Sequence, residues 1–179
     1  DLQVAGDQHG LEWVIVRPHN VIGVGQNIWD RYRNVVGIFI RKALDGEPLT
    51  VFGDGSQIRS FSDIQFYIQP LLRLLETGSG EIFNLGSDQP ISLLDLAEVV
   101  QGVSKAHGNQ VEIDFVEPRH EVRVAFSDHS KARRLLGFED HTDLERTVTE
   151  MFAWASGMPR KTPAFRDYEI RKNLYAYWE

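Results

Sequence analysis

Val16-Arg17-Pro18-His19-Asn20-Val21-Ile22-Gly23-Val24-Gly25-Gln26 carries an apolar strand straight into a proline, a histidine, an asparagine and two glycines. Leu11 to Val16, where it begins, is a short apolar and partly β-branched run, which predicts a strand buried on both faces in an α/β sheet. In such sheets ligands sit beyond the carboxyl ends of the strands, which is where His19 and Asn20 fall. Taken alone, the same residues also describe an ordinary strand-to-loop turn in which Pro18 fixes φ and Gly23 and Gly25 permit tight bends.

Outward from this stretch, strands and helices alternate, the pattern of an α/β fold. Asn34 to Leu44 predicts a helix with Val35, Ile38, Phe39 and Lys42 on successive turns, stopped by Asp45-Gly46 and Pro48. Leu49 to Phe52 is a short strand ending in a Gly-Asp-Gly turn. Ser62 or Asp63 can cap the next helix, where Ile64, Ile68, Leu71, Leu72 and Leu75 suit one buried face before Gly78 and Gly80; Pro70 bends it or marks a late start. Ile82 to Leu85 is a second buried strand. Ser92, with Asp95 three residues on, caps a helix running to about His107, and Gln110 to Val116 alternates as a half-buried strand. Ser127 or Asp128 caps a short helix ended by Gly137, and Thr142 caps the last clear one, up to Trp154.

Composition narrows the function classes. The 179 residues are 42% hydrophobic and 25% charged, enough for a core in one or two domains. No apolar run approaches the ~20 residues that span a bilayer, so no membrane partner is expected. The net charge of -7 argues against a general nucleic-acid binder, since phosphate backbones are held by clustered Lys and Arg. With no cysteine there is no disulfide framework and no thiolate nucleophile, which permits a reducing compartment; the cytoplasm is the default. The six histidines are scattered, and no metal site is expected.

Five further blocks follow the opening stretch: Asn34-Val35-Val36-Gly37-Ile38-Phe39, Leu49-Thr50-Val51-Phe52-Gly53-Asp54-Gly55-Ser56, Arg59-Ser60-Phe61, Phe83-Asn84-Leu85-Gly86 and Ser127-Asp128-His129-Ser130-Lys131-Ala132. In order and approximate spacing the chain resembles the extended short-chain dehydrogenase/reductase family, the NAD-dependent sugar-nucleotide epimerases and dehydratases. The resemblance covers about Leu11 to Trp154. It implies the remaining strands of a Rossmann-type parallel sheet, at Leu11 and Ile82, plus a small C-terminal α/β substrate-binding domain. Residues 1–33 then end the nucleotide-binding part, 34–158 are mainly substrate domain with 81–86 returning to the Rossmann sheet, and 159–179 form a tail.

Two of the family's signatures are not found in place. The Gly-x-Gly-x-x-Gly turn that holds the NAD pyrophosphate does not occur; Gly23-Val24-Gly25 comes closest, but Ile28 stands at the third glycine and the segment follows the wrong strand. The catalytic Tyr-x-x-x-Lys is expected in the helix before Leu11, and Asp1 to His9 resembles only the end of that helix. Tyr168-Glu169-Ile170-Arg171-Lys172 matches the motif literally but lies beyond Pro159 and Pro163, where chance or a surface helix explains it better. After Arg59, Ser62-Asp63-Ile64-Gln65-Phe66 replaces the family's aromatic and paired acids, and Ile22 and Val24 stand where Tyr and Pro are common.

A nucleoside diphosphate sugar requires donors for two phosphates, a flat slot for the base and partners for hydroxyls. Arg59 and Arg119 are planar cations able to grip phosphate oxygens, and the resemblance makes them the diphosphate arginines. Asn20 and Asn34 donate and accept at once and match the family's asparagines. Thr50 and Phe52, two apart on a strand, share a face that the resemblance places along uracil. Glu121 matches the acidic partner of the ribose diol, and His19 and Val21 the nicotinamide lining. Surface salt bridges at Arg59 and Arg119, core filling at Phe52 and helix capping at Asn34 are the open alternatives.

The resemblance therefore implies the substrate-binding portion of an NAD-dependent UDP-sugar epimerase, interconverting UDP-glucose and UDP-galactose, with a UDP-sugar decarboxylase or 4,6-dehydratase next. No catalytic residue falls in this chain, which is expected to be inactive without an N-terminal Rossmann part; homodimerisation is an inherited expectation. A non-catalytic sugar-nucleotide-binding or assembly module is the alternative from another class.

Overall fold

The computed structural model describes residues 1–30, 33–76 and 80–161. In chain order the elements are α1 (Leu2–His9), β1 (Val14–Pro18), β2 (Asn20–Ile22), α2 (Val35–Asp45), β3 (Leu49–Phe52), β4 (Ile58–Asp63), α3 (Gln65–Arg73) with a 3-10 turn at Leu74–Glu76, β5 (Glu81–Leu85), β6 (Pro90–Ser92), α4 (Leu93–Ala106), β7 (Ile113–Val116), β8 (Val124–Ala125), α5 (Ser130–Leu136) and α6 (Leu144–Ser156). Among the described residues no helix is long and apolar enough to cross a membrane. The mixed α/β architecture matches the sequence expectation.

The two strands expected in a parallel sheet do pair in parallel, from Val14 opposite Glu81 to Pro18 opposite Leu85. Val14 and Val16 turn toward Phe83, Leu85, Tyr67, Leu136 and Phe138, a core closed by α3 and α5. The expectation of burial on both faces fails. Leu11 lies outside β1, half-exposed at 47%, and Ile15 and Ile82 on the other face are only half-buried. The reason is packing: among the described residues a core closes over one face of the β1–β5 pair and none over the other.

Helix α3 is the larger departure. The structure buries Tyr67 and Pro70, while Ile64, Ile68, Leu71, Leu72 and Leu75, expected inside, are between 40% and 84% exposed. The helix is apolar on two sides, and Tyr67 decides which one turns inward, because its hydroxyl donates to the Leu85 carbonyl at 3.0 Å and its ring meets Phe138 edge-on. Pro70 lies inside the helix. Gly78 falls outside the described residues, as does the Tyr168 to Lys172 segment.

The second core lies under α2, α4 and α6 and around β3, with Phe39, Ile40, Leu49, Leu96, Val100 and Phe152 almost fully buried. β3 pairs in parallel with β7, whose Phe115 turns out to solvent at 57%, so the clean alternation expected there stops at Ile113. Ser92 caps α4 through the Asp95 amide as expected. Two expected caps move by a residue. Asp143, not Thr142, caps α6 through the Arg146 amide, and Thr142 instead accepts from the Asp63 amide. At α5 the capping position is His129, with Asp128 accepting from the Ser130 amide. Asp63 ends a strand, yet its carboxylate still receives the Gln65 amide at the start of α3.

Candidate functional site

β4 assembles the site, because three strands use it as a neighbour. β2 runs parallel to it with Asn20 opposite Phe61, β6 antiparallel with Ile91 opposite Arg59, and β8 parallel with Ala125 opposite Arg59. The pairing brings residues 20, 59 and 119–125 together across about a hundred positions of sequence. β4 itself was invisible as a strand in the sequence, since Ser60, Ser62 and Asp63 break its apolar pattern; the structure buries all three.

Four predicted residues meet in one cluster. Glu121, 14% exposed at its side chain, accepts from Arg59 Nη2 at 2.9 Å and from Arg119 Nε and Nη2 at 3.3 and 3.4 Å. Arg119 also lies over the Phe52 ring, its Cζ 4.3 Å from the centroid, a cation–π contact. Two guanidiniums thus share one carboxylate, leaving a surplus positive charge among partly desolvated side chains. Attraction there is several times stronger than in water. These arginines do form a salt bridge, as the bland alternative had it, but with the predicted ligand Glu121 and not with an unrelated surface acid.

Thr50 and Phe52 share the half-buried face of β3, while Leu49 and Val51 point into the core. Burial lowers the pKa of Lys42, whose ammonium donates to the Thr50 hydroxyl and to the Pro48 carbonyl. Asn20 donates to the Ser60 carbonyl at 3.0 Å. Asn34 caps α2: its Oδ1 accepts from the Gly37 amide and from Gln26, and its Nδ2 donates to the Val21 carbonyl. Its polar atoms serve the helix and the loop, so capping is the role its geometry displays.

His19 and Val21 lie apart from the arginine cluster but are tied to it through backbone. His19 Nε2 donates to the Ala125 carbonyl at 2.7 Å, beside Arg59 in register, and its amide donates to Leu85. Val21 packs on the core under α3. Gly86 is a glycine by necessity of space: a Cβ there would sit 2.7 Å from His19 Cβ and 2.9 Å from His129 Nε2.

Sequence reasoning missed Gln57 and the His129 network. Gln57 is buried beneath Glu121, two residues before Arg59, and both side chains donate to the same carboxylate. His129 is buried, with Nδ1 donating to Asp88 at 3.2 Å and Nε2 accepting the Ser127 hydroxyl at 2.9 Å; Asp88 also holds Arg133. This pins the loop before α5 to the end of β5.

Comparisons with known proteins find relatives along most of the chain. The family model for the NAD dependent epimerase/dehydratase family matches residues 2–86. UDP-glucuronic acid decarboxylase 6 of Arabidopsis thaliana is 36% identical over 158 residues, 86% of this chain and 45% of that protein. dTDP-L-rhamnose 4-epimerase of Burkholderia thailandensis is 31% identical over 150 residues, 82% of this chain and 41% of that protein. Among solved structures, UDP-glucose 4-epimerase of Thermotoga maritima with UDP-glucose superposes with a TM-score of 0.77 at 27% identity, covering 86% of this chain and 49% of that one. UDP-glucuronic acid 4-epimerase of Bacillus cereus, in complex with UDP-glucuronic acid and NAD, gives 0.74 at 27% identity, covering 86% and 48%. The chain spans about half the length of the relatives it matches.

Proposed function

This chain belongs to the NAD-dependent epimerase/dehydratase family, and we propose that it is the substrate-holding portion of a UDP-sugar enzyme that performs 4-epimerisation of UDP-glucose. The observation that carries the reading is the pair of arginines on Glu121 above Phe52. In this reading Arg59 and Arg119 turn from the carboxylate to the diphosphate, whose two negative charges outbid one. Phe52 and Thr50 take the uracil, Glu121 the ribose diol, and Asn20 the phosphate and sugar oxygens, with Asn34 holding the loop at Val21 in place.

NAD is the family's cofactor and, when bound, accepts and returns a hydride. This chain's residues fit only one end of it. His19 stands just past the carboxyl end of β1, its amide on Leu85 at the end of β5, and Val21 follows two residues on in β2; such sheets bind nucleotides on this side, but the sequence offers no Gly-rich turn for the pyrophosphate. We assign the Gly-rich turn and the Tyr-x-x-x-Lys to an N-terminal Rossmann part. The open edge of β1 and the exposed leucines and isoleucines of α3 are where such a part would pack.

A second reading, decarboxylation of UDP-glucuronic acid, has its own support in the 36% identity to plant decarboxylases. Supplying the protein and its N-terminal partner with NAD and each sugar nucleotide in turn separates the readings. UDP-galactose formed from UDP-glucose supports the first, and CO2 released from UDP-glucuronic acid moves the assignment to the second. UDP-sugar binding with no turnover of either makes the protein a binding module.

A further inference from the structure

Gln57 is buried, with only 9% of its surface exposed, and its amide is held in one orientation. Nε2 donates to the Phe52 carbonyl at 2.7 Å and to Glu121 Oε1 at 3.2 Å. Turning the amide over would set Oε1 against two acceptors. As it stands, Oε1 is buried with no hydrogen-bond partner. A buried orphan acceptor is a cost that a residue kept for packing alone would not carry, since an apolar side chain of the same size would avoid it. The backbone beneath is anchored, for the Leu93 amide at the start of α4 donates to the Gln57 carbonyl. The Gly53–Gly55 turn before it runs at φ of 64° and 74° and packs on Pro118, the residue before Arg119.

Glu121 is now supplied with four donors: Gln57 and Arg119 on Oε1, Arg59 and Arg119 on Oε2. Of these, the arginines are the ones a diphosphate draws away. A carboxylate only 14% exposed cannot then be left to water. We propose that Gln57 is a positioning residue that holds Glu121 in place while the arginines turn to phosphate, and that the acceptor sites so vacated make this site select a ribose over a 2′-deoxyribose. This rests on the UDP-sugar reading above and deepens it. The arginines take three of the four donors with them; a vicinal diol returns two to the carboxylate and a 2′-deoxyribose only one, so the deoxy ligand leaves one more acceptor site unmet. The relatives named above include both UDP- and dTDP-sugar enzymes, so the comparisons leave this choice open.

The test is calorimetric titration of the protein with UDP and with 2′-deoxy-UDP. Wild type is expected to bind UDP about tenfold or more tightly over 2′-deoxy-UDP, the scale of one hydrogen bond to a charged group. In Gln57→Met, which keeps the volume and removes the donor, UDP affinity falls about tenfold and the ratio moves toward one. Gln57→Glu, which sets a second carboxylate beside Glu121, gives the same loss of ratio and stands in should the Met variant fail to fold by circular dichroism. No binding of either nucleotide to wild type overturns the UDP-sugar reading and the inference with it. UDP binding with a wild-type ratio near one overturns the inference and leaves that reading standing. A folded variant that weakens both nucleotides equally, or changes neither, also overturns the inference, because a merely structural role would not move the ratio.

Discussion

Gly86→Ala should damage the protein, and the structure sets the size of the effect. The added methyl would lie 2.7 Å from His19 Cβ, 2.9 Å from His129 Nε2 and 3.2 Å from His129 Cε1, all inside ordinary van der Waals contact. Neither histidine can retreat freely. His19 is tied to the Ala125 carbonyl and by its amide to Leu85, while His129 is buried between Ser127 and Asp88. Overpacking costs about 1–3 kcal/mol. One broken hydrogen bond adds about 1 kcal/mol. The total of about 2–4 kcal/mol corresponds to a fall in Tm of about 4–16 °C for a chain of this length. Gly102→Ala is the matched control: it lies exposed in α4 with nothing within 4 Å of a new Cβ, and alanine there should add about 1 kcal/mol of helix preference. Thermal unfolding of both variants reads the difference. A Gly86→Ala Tm within a degree of wild type would refute the close packing of His19 and His129 about this glycine.

Tyr67 and Glu121 give two more expectations. Burial pushes the Tyr67 phenol up to about 12 from an ordinary 10, so the folded state keeps its proton longer than the unfolded chain does. The resulting stability is fully present below pH 10 and drains as pH rises toward 12, by about 1–2 kcal/mol after allowance for screening. Urea midpoints between pH 9 and 12 should fall for wild type and stay flatter for Tyr67→Phe, which also loses about 1 kcal/mol from its bond to Leu85; parallel slopes would dismiss Tyr67 as the cause. Glu121→Gln removes the carboxylate that Arg59 and Arg119 share, so inorganic pyrophosphate should bind at least about tenfold more tightly, and unchanged or weaker binding would show that the arginines do not face the phosphate position.

The backbone plan was legible where chemistry is local. Asn34, Ser92, Gly46 and Gly137 mark helix ends by capping, and the structure uses each one there. The two apolar runs marked β1 and β5 as strands, and the family resemblance implied the parallel sheet in which they pair. What stayed hidden depends on partners distant in sequence. β4 buries Ser62 and Asp63 because Asp140, Thr142 and Thr147 arrive from the far end of the chain to satisfy them. The inward face of α3 is set by one phenol reaching Leu85, and hydrophobic periodicity carries no trace of that choice. Among the candidate ligands, Arg59 and Phe52 were recognisable by residue type and family block, and Arg119 and Glu121 by residue type and the position the resemblance gave them, but their convergence on one carboxylate was not. Gln57 went unseen because an amide two residues before an arginine has no distinctive chemistry until Glu121 is folded against it.

The most direct test of the account is the affinity of UDP-glucose for wild type and for Arg119→Ala, measured by titration calorimetry. Arg119 holds Glu121 and covers Phe52, so its loss removes the cation proposed to face the diphosphate and leaves the packing of the core untouched. The account predicts at least a tenfold loss of affinity, about 1.4 kcal/mol, in a variant that remains folded. Binding unchanged within that factor would contradict the placement of the diphosphate between the two arginines, and with it the site proposed for the sugar nucleotide.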